Sequence, residues 1–265
     1  MCVVELNSLY LIIGGDSLIG STLSSYWHQK NILYHASTRH KEKASDSHPM
    51  IDIREIQSFQ NLNNYKSAVI CAAVTDMAAC EIKPIESRAV NVTATIELIK
   101  KLINKKTHIV FLSTNQVFNG ERAYQKPYAP HNPINEYGRQ KAEVEAFLKY
   151  VSSSCILRLT KVIHPGLALL KKWEKTLSNG QPIFAFSDMS LCPVSINDVI
   201  QKIDSLVRQK AKGIFQLSGV KDISYFEFAQ EFAKENGFSE KLVREDFWKD
   251  KIQFAPPNFT SLVNI

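Results

Sequence analysis

Residues 9–20, LYLIIGGDSLIG, decide the fold. Leu9 to Ile13 is an apolar run cut off by Gly14 and Gly15, and Leu18 to Lys30 follows with Leu18, Leu23, Tyr26 and Trp27 at helical spacing. The stretch therefore reads as strand, tight turn and helix. Gly14, Ser17 and Gly20 occupy the three glycine positions of a G-x-x-G-x-x-G turn. In such a turn the first glycine bends the chain, the second lets backbone approach a pyrophosphate, and the third lets helix and strand pack closely, with the anion on the helix N-terminus. Ser17 replaces the middle glycine, but serine is small and its hydroxyl can donate to a phosphate.

Working outward, Ile32 to Ser37 is a second strand. An Asp or Glu at its end would accept from a ribose 2′-hydroxyl, but the chain continues Thr38-Arg39-His40-Lys41. That basic end, with Arg39 first, suits a 2′-phosphate and predicts NADPH, with NADH as the alternative. Ala68 to Val74 and His108 to Ser113 are further apolar strands, and Cys155 to Leu159 completes the series. Helices are predicted over about Ile85 to Lys105 and, after the Pro-rich loop QKPYAPHNP, over Ile134 to Tyr150. Short apolar strands alternating with helices predict an α/β fold with a doubly wound, Rossmann-like parallel sheet. After about residue 160 the rhythm weakens. Leu167–Leu177, Asn197–Gln209 and Tyr225–Asn236 are helix candidates, and Ser224 with Glu227 makes a capping box. This predicts a dinucleotide-binding domain over 1–160 and a small mixed substrate-binding part over 161–265.

With 265 residues, 45% of them hydrophobic and 22% charged, the chain belongs among globular proteins and not among disordered ones. No stretch approaches the roughly 20 apolar residues of a membrane helix. The start, MCVVELNSLYLII, lacks a basic leader and a cleavage site, so a cytoplasmic location is expected. Cys2, Cys71, Cys80, Cys155 and Cys192 form no C-x-x-C pair, so neither a disulfide framework nor a metal site is expected. The net charge of +6 is modest, and its lysine clusters at helical spacing read as solvated faces. Without interleaved aromatics they do not predict a nucleic-acid groove.

The strongest chemical signal is Tyr137-Gly-Arg-Gln-Lys141. A spacing of four puts both side chains on one helix face. Tyrosine ordinarily titrates near 10. At about 4 Å and an effective dielectric near 20, one positive charge is worth roughly 4 kcal/mol, about three pKa units, which predicts an acidified phenol. Ser113 and Thr114 end the strand HIVFLS, where a hydroxyl opens onto the crevice in which doubly wound sheets bind ligands.

Strand, hydroxyl, a gap of about 20 residues and Tyr-x-x-x-Lys, together with the N-terminal turn, resemble the extended short-chain dehydrogenase/reductase family. The closest likeness is to the dTDP-4-dehydrorhamnose reductases and their sugar-nucleotide relatives, over roughly residues 9 to 165 and more loosely beyond. The resemblance implies that Thr114 binds the substrate carbonyl, that Tyr137 donates a proton, and that Lys141 activates it and contacts a ribose. It implies that Ser17, Leu18 and Ile19 meet the pyrophosphate, that Asp52 and Ile53 flank the adenine, and that Ala72, Ala73 and Val74 line the cofactor's path. The implied reaction is NADPH-dependent reduction of the ketone of a nucleotide-linked 4-keto-6-deoxy sugar.

Departures narrow this expectation. Sugar-nucleotide dehydratases carry an Asp-Glu pair after the active-site Thr, and related epimerase-reductases carry a cysteine two residues after it. Here Asn115-Gln116 disfavours both chemistries. Asn115, in place of an Asp, and Lys161, in place of an aromatic, stand at substrate-facing positions and leave the sugar open. The resemblance implies that Asn91 could support a catalytic water, but a helix-face hydrogen bond is the expected role. Arg158 either meets substrate or anchors structure. Two alternatives stay open: an NADP-binding regulatory subunit without turnover, motivated by Ser17 and a short C-terminal part, and an NAD-retaining epimerase. A homodimer is compatible with all three.

Overall fold

The computed structural model describes residues 9–60, 62–249, 251 and 256–265. Cys2 and the first eight residues of the stretch read for a leader lie outside them. In chain order the elements are β1 (Tyr10–Ile13), α1 (Leu18–Gln29), β2 (Tyr34–Ala36), β3 (Ser67–Ile70), α2 (Met77–Ile82), α3 (Pro84–Arg88), a π-helical stretch (Ala89–Ala94) and α4 (Thr95–Asn104). Next come β4 (His108–Thr114), α5 (Glu136–Leu148), β5 (Ser154–Leu159), β6 (Lys161–Ile163), α6 (Ala168–Ser178), β7 (Ile183–Phe186) and β8 (Ser190–Leu191). The chain closes with β9 (Pro193–Ser195), α7 (Ile196–Gln209), β10 (Gly213–Leu217), β11 (Ile223–Ser224), α8 (Tyr225–Glu235) and β12 (Val243–Asp246).

Six strands form one sheet in the order β10-β5-β4-β3-β1-β2, and every pair in it is parallel. Parallel strands bury both faces, which is why these segments are apolar throughout and not alternating. Ile12, Val69, Val110 and Leu157 point to one face, where Leu23 and Trp27 of α1 and Val199 and Ile203 of α7 cover them. Leu11, Ala68 and Phe111 point to the other, under Leu98 and Leu102 of α4 and Val144 and Leu148 of α5. The strand order reverses at β1, flanked by β2 and β3, and this opens a crevice beyond the carboxyl ends of the strands.

Three local differences from the sequence reading have identifiable causes. The strand expected over Ala68 to Val74 stops at Ile70, because Cys71 and Ala72 both donate to the Ile13 carbonyl, at 2.9 and 3.1 Å, and turn the chain into the crevice. The long helix is preceded by α2, capped by Asp76, whose side chain accepts from Ala79 N–H. Within it, Ala89–Ala94 adopts π geometry, and Thr95 Oγ1 donates to the Val90 carbonyl five residues back.

A boundary at residue 160 does not separate two spatial units. β10 returns to the main sheet beside β5, and α7 packs against its face, because both carry apolar residues that only the sheet can bury. What stands apart is a smaller cluster of α6, α8, β7 and β12, centred on Trp173 between Phe228 and Phe232, with ring centroids 5.9 and 5.8 Å away. Among the described residues no helix is long and apolar enough to cross a membrane.

Candidate active site

The turn after β1 is tied to the end of β2: Gly14 N–H donates to Ser37 Oγ at 2.9 Å and Gly15 N–H to the Ser37 carbonyl at 2.8 Å. Ser17 is the N-cap of α1, its Oγ accepting from Gly20 N–H at 3.1 Å. A Cβ on Gly20 would stand 2.2 Å from the Gly14 carbonyl oxygen, so the third glycine of the turn serves close packing, as its position predicts. Leu18 and Ile19 follow the cap at the start of α1, where backbone N–H groups have no intrahelical acceptor, and both residues line the crevice.

β4 delivers Thr114 to the opposite wall. Thr114 is buried, its Oγ1 accepting from Gln116 N–H at 3.2 Å and lying 3.3 Å from Asn115 Oδ1. The N-cap of α5 is locked to the same strand end. Asn135 Oδ1 accepts from Gly138 N–H, and Asn135 Nδ2 donates to Gln116 Oε1, both at 2.8 Å. Gln116 therefore sets the register between Thr114 and Tyr137, a long-range pairing that no local pattern announces.

Lys141 is buried, and its Nζ donates to the Leu112 carbonyl at 2.9 Å. The ammonium lies 4.6 Å from the Phe111 ring centroid and 5.8 Å from that of Tyr137. Burial pushes Lys141 down to about 8, opposed by the nearby Glu145 carboxylate. Burial also raises the Tyr137 pKa, so the acidified phenol expected from the i,i+4 spacing is not what the fold makes. Loss of solvation is the first cause of that rise, and the nearby Cys80 adds to it.

Ser17, Leu18, Ile19, Ala73, Thr114, Asn115, Tyr137, Lys141 and Lys161 all line one cavity of about 390 Å³, within the range of ligand sites. Gly14, Ala72 and Val74 are not among its lining residues. Asn91 holds Val74 from behind, accepting from its N–H at 2.8 Å and donating to its carbonyl at 2.9 Å. Arg39, Asp52 and Ile53 also lie off the cavity: Ile53 is in the hydrophobic core, and Asp52 is buried and paired with Arg54 at 2.5 Å. Arg158 faces protein, in an ion pair with Glu145. Lys161 has no carboxylate partner among the described residues, and burial lowers its pKa. Met189, Tyr225 and Thr260, from the C-terminal part, also line the cavity, and nothing in their local sequence marks them.

The residues present fit a dinucleotide. Free N–H donors at the start of α1 and the buried ammonium of Lys141 face one space, as an anionic diphosphate and a ribose require.

Parallel sheet, glycine turn, and a strand-end hydroxyl sharing one cavity with a Tyr-x-x-x-Lys pair together define the extended short-chain dehydrogenase/reductase class. Within that class the chain belongs to the family described as "RmlD substrate binding domain", whose model matches residues 9–251. It is 26% identical over 255 residues to the "Probable low-salt glycan biosynthesis reductase Agl14" of Haloferax volcanii, covering 90% of this chain and 84% of that one. It is 24% identical over 227 residues to the dTDP-4-keto-6-deoxy-D-glucose reductase of Streptomyces niveus, covering 83% and 76%. Methionine adenosyltransferase 2 subunit beta of Bos taurus is 23% identical over 238 residues, covering 84% and 70%. The crystal structure of dTDP-4-dehydrorhamnose reductase from Bacillus anthracis in complex with NADP superimposes with a TM-score of 0.88 at 19% identity, covering 97% of this chain and 91% of that one.

Proposed function

We propose that this protein is an NADPH-dependent reductase acting on the ketone of a nucleotide-linked 4-keto-6-deoxy sugar. The observation that carries this reading is the single cavity shared by Thr114, Tyr137, Lys141 and the N-terminus of α1. The relatives in Streptomyces niveus and Haloferax volcanii, both named reductases, support the reaction class.

The dinucleotide, when bound, supplies the hydride. Thr114 donates a hydrogen bond to the carbonyl oxygen, which holds the ketone and favours the charge that builds on it. Tyr137, whose raised pKa keeps the phenol protonated at neutral pH, delivers its proton to that oxygen. Lys141 remains largely protonated at neutral pH, and its charge offsets part of the phenolate left behind. Asn115 and Gln116 do not titrate, which leaves the site without the acid and base that elimination of water requires.

Purified protein should oxidise NADPH only when a 4-keto-6-deoxy sugar nucleotide is present, and Tyr137→Phe should abolish turnover while sparing NADPH affinity. An active Tyr137→Phe variant refutes the proton-donor role. The likeness to methionine adenosyltransferase 2 subunit beta favours a second reading, a regulatory subunit. Tight NADPH binding without turnover on any keto sugar would decide for it. Tightly held NAD in the purified protein would decide for an epimerase.

A further inference from the structure

The end of β2 carries no acid, yet the fold brings one there. Asp16, inside the glycine turn, accepts from Thr38 Oγ1 through Oδ2 at 2.6 Å, although 22 residues separate the two. The Thr38 hydroxyl is itself oriented, accepting from His40 N–H at 3.1 Å. The other carboxylate oxygen of Asp16 lies 3.6 Å from Lys43 Nζ, and the side chain is one-third exposed. Burial would raise the Asp16 pKa, but the Thr38 hydrogen bond and the Lys43 charge hold it below the usual carboxylate range, so it is anionic at neutral pH.

His40 faces Glu42 at 3.6 Å and its charge also favours the Asp16 carboxylate, while Asp52 pairs with Arg54 and feels the charge of Arg39. Arg39 is exposed and has no carboxylate partner among the described residues. The rim thus carries an exposed guanidinium on Arg39 and, in the glycine turn, an anionic carboxylate on Asp16 that also accepts from the Arg39 backbone N–H. In doubly wound folds the group at the end of the second strand distinguishes a ribose 2′-hydroxyl, accepted by a carboxylate, from a 2′-phosphate, held by arginine.

We propose that Asp16 is the residue that sets dinucleotide preference, accepting the free 2′-hydroxyl of NADH and opposing the 2′-phosphate that Arg39 attracts. This rests on the dinucleotide site proposed above. Like charges brought together across a binding interface are strongly unfavourable, and Asn at this position keeps the Thr38 hydrogen bond while removing the charge.

The test is titration of the purified full chain with NADPH and with NADH, read by nicotinamide fluorescence, for the wild type, Asp16→Asn and Arg39→Met. Asp16→Asn should shift the ratio toward NADPH by about tenfold or more, and Arg39→Met should shift it toward NADH. If both nucleotides bind and Asp16→Asn leaves the ratio unmoved, the role of Asp16 is overturned while the dinucleotide site stands. If neither binds the wild type, the dinucleotide reading falls, and this inference falls with it.

Discussion

Arg158 and Glu145, each 1% exposed, close an ion pair between β5 and α5, directly beneath the strand end that carries Thr114. Arg158 Nη2 meets Glu145 Oε2 at 2.6 Å, and Arg158 Nε lies 3.0 and 3.1 Å from the two carboxylate oxygens. Ser113 Oγ donates to the same carboxylate, and Arg158 Nη1 reaches the Pro127 carbonyl of the loop that precedes α5. One buried pair therefore holds the active-site strand, the catalytic helix and the covering loop in register.

Glu145→Gln should unfold the protein at markedly lower denaturant, with a loss of about 3–5 kcal/mol, because Arg158 is left as an uncompensated buried charge. Burial alone would raise the Glu145 pKa, but hydrogen bonds from His131, Arg158 and Ser113 hold it below its ordinary 4.5. The stabilisation is therefore complete above about pH 4.5 and is lost as the pH falls through the lowered folded value. Urea titrations at neutral and acidic pH should show the difference between wild type and variant shrinking in acid. A variant as stable as the wild type at neutral pH would refute the anchoring role.

Gly138→Ala should damage both stability and turnover. A Cβ there would stand 2.0 Å from the Gln116 carbonyl oxygen, backbone that cannot move without shifting α5 away from Thr114. A stability loss of about 1–3 kcal/mol is expected, with a fall in kcat larger than any change in dinucleotide affinity. Unchanged kcat in a folded variant would show that the separation of strand and helix is not critical.

Lys141→Met should give a protein that is more stable at neutral pH yet binds dinucleotide poorly. The folded lysine titrates near 8 and the unfolded one near 10.5, so the penalty of burying its charge is full below about pH 8 and relieved as the pH climbs to 10.5. Methionine removes that penalty, for a gain of up to about 3 kcal/mol at pH 7. Thermal melts across this range should show wild-type stability catching up with the variant as pH rises. Wild-type dinucleotide affinity should fall over the same interval, and affinity that is flat in pH would separate Lys141 from binding.

Asn91→Leu should release the segment after β3. The Asn91 amide pairs with both backbone groups of Val74, and its Nδ2 also donates to Gln140 Oε1 at 2.7 Å. Leucine strands these partners, at about 1–3 kcal/mol for each unpaired buried group. Hydrogen exchange should quicken at Val74 first, and equal protection there would contradict the bracing role.

Much of the architecture was legible without coordinates. The parallel strands announced themselves because burial on both faces demands continuous apolar runs, and capping residues such as Ser224 mark a helix start within four positions. The shortening of the third strand was not legible, because Cys71 to Val74 are as apolar as a strand and only the Ile13 carbonyl diverts them. Nor was the return of β10, whose place depends on the vacant edge of β5.

The same division runs through the site. The glycine turn, the strand-end hydroxyl and the Tyr137–Lys141 spacing are local, so composition and periodicity determined them. The protonation of Tyr137 and Lys141, the carboxylate that Asp16 sets beside Thr38, and the contribution of Met189, Tyr225 and Thr260 to the cavity were decided by tertiary structure alone. Solvation and electrostatics depend on everything within several ångströms, and a linear pattern does not say which distant residues the fold brings that close.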